Sequence, residues 1–386
     1  MRNQESNGTE TTDVVVVGGG VIGLSVARAL CVLGVGRVTL VERGAVGMEA
    51  SHAAGGMLAV QAEADGADAF FELARASREL YPAWAAALFE ETGIDIELEE
   101  TGTLYLAFTD EDEAEIERRY RWQSAAGLQV ERLSACEARA LEPCISSHAR
   151  AALRFPLDVQ VENRKLLAAL LSSLRKRSVR VLTDTRVESL RIEHGRVTGV
   201  ETSRGAISTP AVVVASGAWT SFLTASDKRA PRVSIEPVRG QMLCFEALTN
   251  CTRHVLYSPR GYVVPRQDGR VLAGSTTERA GFAKHVTGGG VELILKHAME
   301  LAHDAFHDAR LLDAWAGLRP RAEDDLPVIG ECAEARGLFY ATGHYRNGIL
   351  LAPVTAQLVA EQLMTGKLSE LLQAFSPDRF QTVGVS

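Results

Sequence analysis

Three features of the sequence predict an α/β chain: a Rossmann-like domain assembled from interleaved segments, carrying a second α+β domain built on a mainly antiparallel sheet. A β-branched run at Asp13–Val17 leads through a glycine-rich turn into an apolar helical stretch and then a second strand. Two apolar runs far downstream, Ala211–Ala215 and Gly337–Gly343, read as further strands buried on both faces. Between them, Val233–Gly274 alternates short β-rich segments with turns such as Gln267-Asp-Gly-Arg270. The predicted division gives 1–60, 145–225 and 310–386 to the Rossmann-like domain, and 61–144 and 226–309 to the second.

Taken in order, Val14–Val17 is a continuous valine run, Val21–Leu33 has helical spacing and stops near Gly34, and Arg37–Val41 is a strand closed by Glu42. A Gly/Ala/Ser-rich loop, Gly44–Met57, precedes a helix over 70–92, a strand over Thr103–Phe108 and a charged, solvated helix over Asp110–Ala126. Leu166–Lys176 reads as a helix, and Arg180–Leu182 and Val197–Thr202 as strands. Val291–Phe306 is helical, and Leu350–Met364 is a helix packed behind the last strand. No internal repeat runs at a fixed period.

With 386 residues, 46% hydrophobic and 23% charged, the chain can bury a real core, which excludes disorder and low-complexity architectures. A net charge of −8 argues against binding nucleic acid or an anionic membrane, so any anionic ligand must be met by locally placed arginines. The longest apolar stretch, Val14–Val35, is broken by Gly18, Gly19, Gly20, Gly23, Arg28 and Gly34, which argues against a membrane span. Met1–Thr12 is polar with two glutamates and lacks a secretory pattern, and the six cysteines show no CxxC spacing. These features predict a soluble, cytoplasmic protein with reduced thiols.

Gly18-x-Gly20-x-x-Gly23 lies between a strand and a helix. In that setting the first glycine makes the tight turn and the second admits a pyrophosphate against the backbone. The third lets helix and strand pack closely, while the helix N-terminus offers its positive dipole end. Glu42, 19 residues past Gly23, stands where a carboxylate accepts from ribose hydroxyls and disfavours a 2′-phosphate. A second small-residue loop, Ser51-His-Ala-Ala-Gly55-Gly56-Met57, follows directly. Ser216-Gly217-Ala218-Trp219 and Ala341-Thr342-Gly343 each end a buried strand. Glycine contacts spread over the whole chain suit FAD, which needs its isoalloxazine enclosed, better than NAD. The first domain is therefore predicted to be FAD-binding and the second substrate-binding.

These residues resemble the D-amino-acid-oxidase family of FAD-dependent oxidoreductases, most closely its glycine-oxidising members that serve thiamine biosynthesis. The resemblance spans Asp13–Leu363 and rests on the fingerprint, Glu49–Met57, Pro237-Val-Arg-Gly-Gln-Met242, Gly261-Tyr-Val-Val-Pro-Arg266, Trp315-Ala-Gly-Leu-Arg-Pro320 and Gly343–Pro353. It implies FAD contacts at Val21, Ile22, Glu42, Arg43, Ala50, Ser51, Gly55, Gly56, Met57 and, through its backbone, Val187. His344, Tyr345, Arg346, Asn347, Gly348, Ile349 and Leu350 would wrap the flavin, with the following helix aimed at its pyrimidine end. Arg319 would hold the substrate carboxylate, Tyr262 would hydrogen-bond it, and Arg346 would be a second arginine near the substrate. No cysteine closely follows Arg319, so the FAD is expected to be non-covalent. Arg321-Ala-Glu-Asp-Asp325 replaces a glycine-containing turn usual in the family.

The implied reaction is oxidative deamination of glycine, sarcosine or small D-amino acids. Hydride passes from Cα to flavin N5, and the imine hydrolyses to an oxo acid and ammonia. Dioxygen becomes hydrogen peroxide, and no side-chain acid or base is required. The implied assembly is a homo-oligomer, with relatives often tetrameric. A dehydrogenase using an acceptor other than oxygen, and a non-catalytic flavin-binding subunit of an amine-oxidising complex, remain open alternatives. On the residues alone, Arg319 could instead pair with Glu323, Asp324 or Asp325, Tyr262 could be strand core, and Arg346 a surface cation at a helix start. Arg239 reads as structural. His303 and His307, four apart on a helix, lack a third convergent ligand, so no metal is expected.

Overall fold

The computed structural model describes residues 10–226, 233–246 and 252–380. Residues 1–9 of the N-terminal segment, residues 247–251 of the β-rich stretch and Cys251 lie outside the described residues. A six-stranded sheet runs in the order Val328–Glu331, Leu338–Thr342, Val212–Val214, Val14–Val17, Val38–Val41, Arg180–Leu182. Its strands are parallel except Val328–Glu331, which is antiparallel to its neighbour. Alternation along the strand assigns its faces. Val14 and Val16 pack into a core shared with helices Val21–Val32, Asn163–Lys176 and Gly348–Thr365, and with helix Ala69–Thr92 beyond them. Val15 and Val17 face a second core with Leu190, Ile192, Val200 and Ile207 of a five-stranded sheet. Valine suits such a strand because its β-branch packs on both pleated faces.

An eight-stranded sheet runs in the order Leu311–Ala322, Ile235–Glu246, Arg270–Gly274, Gly261–Pro265, Val255–Ser258, Thr103–Ala107, Ala151–Phe155, Glu131–Ser134. It is antiparallel but for the pairing of Val255–Ser258 with Thr103–Ala107. Helix Gly288–Phe306 covers one face, burying Ile294, Ala298 and Leu301 against Leu104, Phe245, Val263 and Ala273. The Thr287 side chain caps that helix by accepting from the Gly290 amide.

Two expectations need correction. Leu311–Ala322 and Ala151–Phe155, which the sequence places in the first domain, are strands of the eight-stranded sheet. The long Leu311–Ala322 strand carries Asp313, Gly317 and Pro320, so its own composition is poor for a strand. It is held by register with Ile235–Glu246 from Ile235↔Ala322 to Phe245↔Leu311. Pro320 is tolerated because the strand is an edge. The same pairing makes Ile235–Glu246 one 12-residue strand where the sequence predicts short β-rich segments.

Candidate active site

The ends of the parallel strands and one face of the eight-stranded sheet enclose a cavity of about 640 Å³. At one end, Gly18 has φ +110°, and a Cβ there would stand 2.4 Å from the Ala215 carbonyl oxygen. A Cβ on Gly23 would be 1.9 Å from the Gly18 carbonyl oxygen, so helix and turn touch only because residue 23 is glycine. Helix Val21–Val32 begins at Gly20 with no side-chain cap and no acidic residue in its first turn. Ser51 Oγ accepts from the Val21 amide at 3.0 Å. Glu42 accepts from the amides of Gly19 at 2.7 Å and Gly44 at 3.0 Å, which fixes its carboxylate at the cavity wall. The Arg43 guanidinium lies 3.6 Å over the Trp219 ring and pairs with Glu49 at 2.7 Å.

At the other end, Val238↔Arg319, Gly240↔Gly317 and Met242↔Trp315 stand opposite one another. Facing residues of an antiparallel pair share one side of the sheet. Here the two glycines leave that side open. A Cβ on Gly240 would fall 2.2 Å from Arg319 Nη1, and one on Gly317 would fall 2.6 Å from Ala53 Cβ. The Arg319 guanidinium lies in the first of these spaces. Its Nη1 donates to the Thr276 carbonyl at 3.0 Å and its Nη2 to Ser275 Oγ at 2.6 Å. Burial presses its pKa downward, and among the described residues no carboxylate pairs with it. Two of the three acidic residues considered for it are engaged elsewhere: Asp325 pairs with Arg321, and Asp324 with Arg379 at 2.8 Å. The unusual 321–325 loop is thus closed by its own ion pair.

Tyr262, 7% exposed, lies at the cavity wall with its hydroxyl donating to Met242 Sδ at 3.2 Å. Its ring closes against Gly55, where a Cβ would be 3.2 Å away. Arg346 also lines the cavity and pairs with Glu63 at 2.7 Å, and that carboxylate is the chief cause of its raised pKa. The segment that brings it there turns tightly: Gly343 and Tyr345 have φ +72° and +47°, and the Tyr345 amide donates to the Pro320 carbonyl at 2.9 Å. His344 is buried with Nε2 3.0 Å from Thr355 Oγ1, and burial pushes its pKa down to about 3, so it is a neutral imidazole. Helix Gly348–Thr365 then starts without a side-chain cap or an early acidic residue.

The structure brings together nearly all the residues expected from the sequence. Gly18, Gly20, Val21, Ile22, Glu42, Arg43, Ala50, Ser51, Gly55, Gly56, Met57, Val187, Tyr262, Arg319, His344, Tyr345, Arg346, Asn347, Gly348 and Ile349 line the one cavity. Gly23 and Leu350 do not: Gly23 serves helix–strand packing, and Leu350, 2% exposed, is turned into the core by the helical period. Ser216–Trp219, Ala341 and Thr342 line it too, whereas Gly343 packs against Val328, Ala322 and Ile235. Glu63, Met242, Gly240 and Gly317 are lining residues that site reasoning from the sequence missed. For Gly240, Met242 and Gly317 a signal existed in the Pro237–Met242 and Trp315–Pro320 stretches; for Glu63 there was none. Among the described residues no group of three or more metal-ligating side chains converges, His303 and His307 included.

Two helix N-termini with no acidic residue in their first turns open on one cavity, with a ribose-type carboxylate near the first, and fit a long anionic dinucleotide with an electron-rich ring at the far end. Comparison with known proteins agrees. The family model described as FAD dependent oxidoreductase matches residues 13–362, and the chain belongs to that family. FAD is its cofactor. None of the described cysteines lines the cavity, which fits non-covalent binding. The chain is 38% identical over 374 residues to a glycine oxidase of Geobacillus kaustophilus, covering 96% of this chain and 98% of the relative. A crystal structure of glycine oxidase from Geobacillus kaustophilus superposes with a TM-score of 0.91 at 36% identity, covering 97% of this chain and all of that one. A bifunctional protein ThiO/ThiG of Synechocystis sp. is 34% identical over 96% of this chain, which corresponds to 54% of that longer protein.

Proposed function

We propose that this protein is an FAD-dependent amino-acid oxidase that deaminates glycine and other small amino acids, including sarcosine and small D-amino acids. The observation that carries the reading is Arg319. It is an enclosed guanidinium with two nitrogens held by neutral oxygens and no carboxylate partner among the described residues, at the wall of a cavity fit for FAD. A planar guanidinium fixed on one edge offers its remaining N–H groups as a fork to a carboxylate.

In this reading Val21 and Ile22 hold the pyrophosphate, Glu42 the ribose, and the 344–349 segment the ring. When bound, FAD would supply the two-electron acceptor that couples oxidation of the substrate Cα–N bond to reduction of dioxygen. Arg319 binds the substrate carboxylate, and Tyr262 exchanges its weak sulfur acceptor for a carboxylate oxygen. The Met57, Met242 and Tyr262 walls keep bulk water from the reacting carbon. The balance is amino acid, water and dioxygen giving oxo acid, ammonia and hydrogen peroxide. His344, neutral and turned to Thr355, has no part in proton transfer.

The near-full coverage of two glycine oxidases supports glycine as substrate, and the fused ThiO/ThiG relative supports a product that feeds thiamine thiazole synthesis. A cytoplasmic setting is in keeping with the finding that no helix among the described residues is long and apolar enough to cross a membrane. The test is an anaerobic absorbance titration of the FAD-loaded protein with glycine, sarcosine and D-alanine, followed by air. Bleaching by glycine and prompt recovery with peroxide is the expected result. Bleaching that air reverses slowly would assign a dehydrogenase with another acceptor, and no bleaching would remove this substrate class.

A further inference from the structure

The guanidinium of Arg319 is held by Ser275 and Thr276, and those two residues are in turn held from the opposite side of the sheet. Alternation along Ile235–Glu246 sends Gly240 toward the cavity and its neighbours Arg239 and Gln241 to the other face. There both converge on Glu278. Its carboxylate pairs with Arg239 and accepts from Gln241 Nε2 at 2.7 Å and from Thr276 Oγ1 at 2.5 Å. The backbones of Arg239 and Glu278 also bond reciprocally, at 2.9 and 3.0 Å. Thr276 thus straddles the two faces. Its hydroxyl donates to Glu278 and accepts from the Gln241 amide at 3.0 Å, while its carbonyl receives Arg319 Nη1. Gln241 ties the cluster onward to Thr287, the cap of helix Gly288–Phe306, by accepting from the Thr287 amide at 2.8 Å.

We propose that Glu278 is a positioning residue for the anion-binding guanidinium of Arg319, fixing the 275–278 segment so that Thr276 and Ser275 aim it into the cavity. The carboxylate itself stays on the far face, bonded to Arg239, Gln241 and Thr276. Glu278 is saturated by Arg239, Gln241 and Thr276, so the one cation at the cavity wall without an ion-pair partner among the described residues stays available for a ligand. Arg239 therefore serves the site at one remove, by pairing with the carboxylate that holds Thr276. The inference rests on the reading that Arg319 receives a substrate carboxylate.

The test uses the FAD-loaded protein and two readouts: the dissociation constant of acetate, followed by perturbation of the flavin absorbance, and the steady-state constants for glycine. In Glu278→Gln and Glu278→Ala the acetate constant and KM are expected to rise together by about tenfold or more, with kcat changed less than about threefold. FAD retention is expected to be unchanged. As a control, Arg310→Ala removes the exposed Arg310–Glu246 pair at the far end of the same two strands and is expected to leave both constants as they are. Should the Glu278 variants not fold, Thr276→Val removes only the hydroxyl link and is expected to raise the same constants.

Unchanged acetate binding in a folded, FAD-loaded variant would overturn the proposal. So would a rise that only tracks loss of FAD and of melting temperature, since that marks a merely structural role. If wild-type protein neither binds acetate nor oxidises glycine, the carboxylate reading of Arg319 fails, and this inference falls with it.

Discussion

Arg319 and Arg321 stand two residues apart on one strand with the same charge and different fates. Arg321 meets Asp325 and Glu236 near solvent, where ion pairs contribute little. Arg319 is enclosed and meets only neutral oxygens, so a carboxylate arriving there gains a charge-assisted pair in a low-dielectric site. Arg319→Ala is therefore expected to lower kcat/KM for glycine by about 100-fold or more, chiefly through KM, while FAD stays bound. Steady-state assays with a peroxide readout check this, and near-normal kinetics would remove Arg319 from the site. The sequence could place Arg319 among candidates but could not separate it from Glu323, Asp324 and Asp325. What decides the matter is tertiary: Asp325 and Asp324 are turned to Arg321 and Arg379, and no carboxylate among the described residues pairs with Arg319. Glu63 carried no sequence signal because only tertiary packing brings it to the cavity.

Among the elements, those most legible in the sequence satisfy a local rule and a global one together. Val14–Val17, Val212–Val214 and Leu338–Thr342 are apolar runs because both faces of the parallel sheet are covered, and their pattern needs no knowledge of partners. Leu311–Ala322 was illegible for the opposite reason: its glycine, aspartate and proline make sense only beside Ile235–Glu246 and the guanidinium lying between the strands. The turn from Val14–Val17 into helix Val21–Val32 is the element with least slack. Gly23→Ala would force the helix off the Gly18 carbonyl, at a cost of about 3 kcal/mol. The variant is expected to purify with little FAD and to melt well below wild type, as absorbance at the flavin bands and a thermal scan would show.

At the scale of the whole molecule, the pH dependence of stability reports the burial of its titratable groups. His344 has its folded pKa near 3 against an ordinary value of 6.5. Between those values the unfolded chain binds the extra proton, so stability is lost as pH falls from about 6.5 toward 3. The loss from this one group approaches about 1.4 kcal/mol per pH unit inside the window. Relative to wild type, His344→Gln should therefore gain stability as the solution is acidified, and urea melts of both proteins at pH 7 and pH 5 measure the difference. Equal differences at the two pH values would mean that His344 is not held neutral.

The interleaved order of the strands bears on how the protein comes to exist. Val14–Val17 sits between Val38–Val41 and Val212–Val214, and the next place is taken by Leu338–Thr342, with helix Gly348–Thr365 lying against helix Val21–Val32. A chain emerging from the ribosome can form the first strand–helix–strand unit early, but it must wait for roughly three hundred further residues before that unit gains its last neighbours. Until Val212–Val214 has been made, about 170 residues after Val41, the valine strand is open along one edge. The cavity cannot close before Leu338–Thr342 and the 344–349 segment that line it have been made, so a chain stopped short of Leu338 should emerge colourless and prone to aggregate.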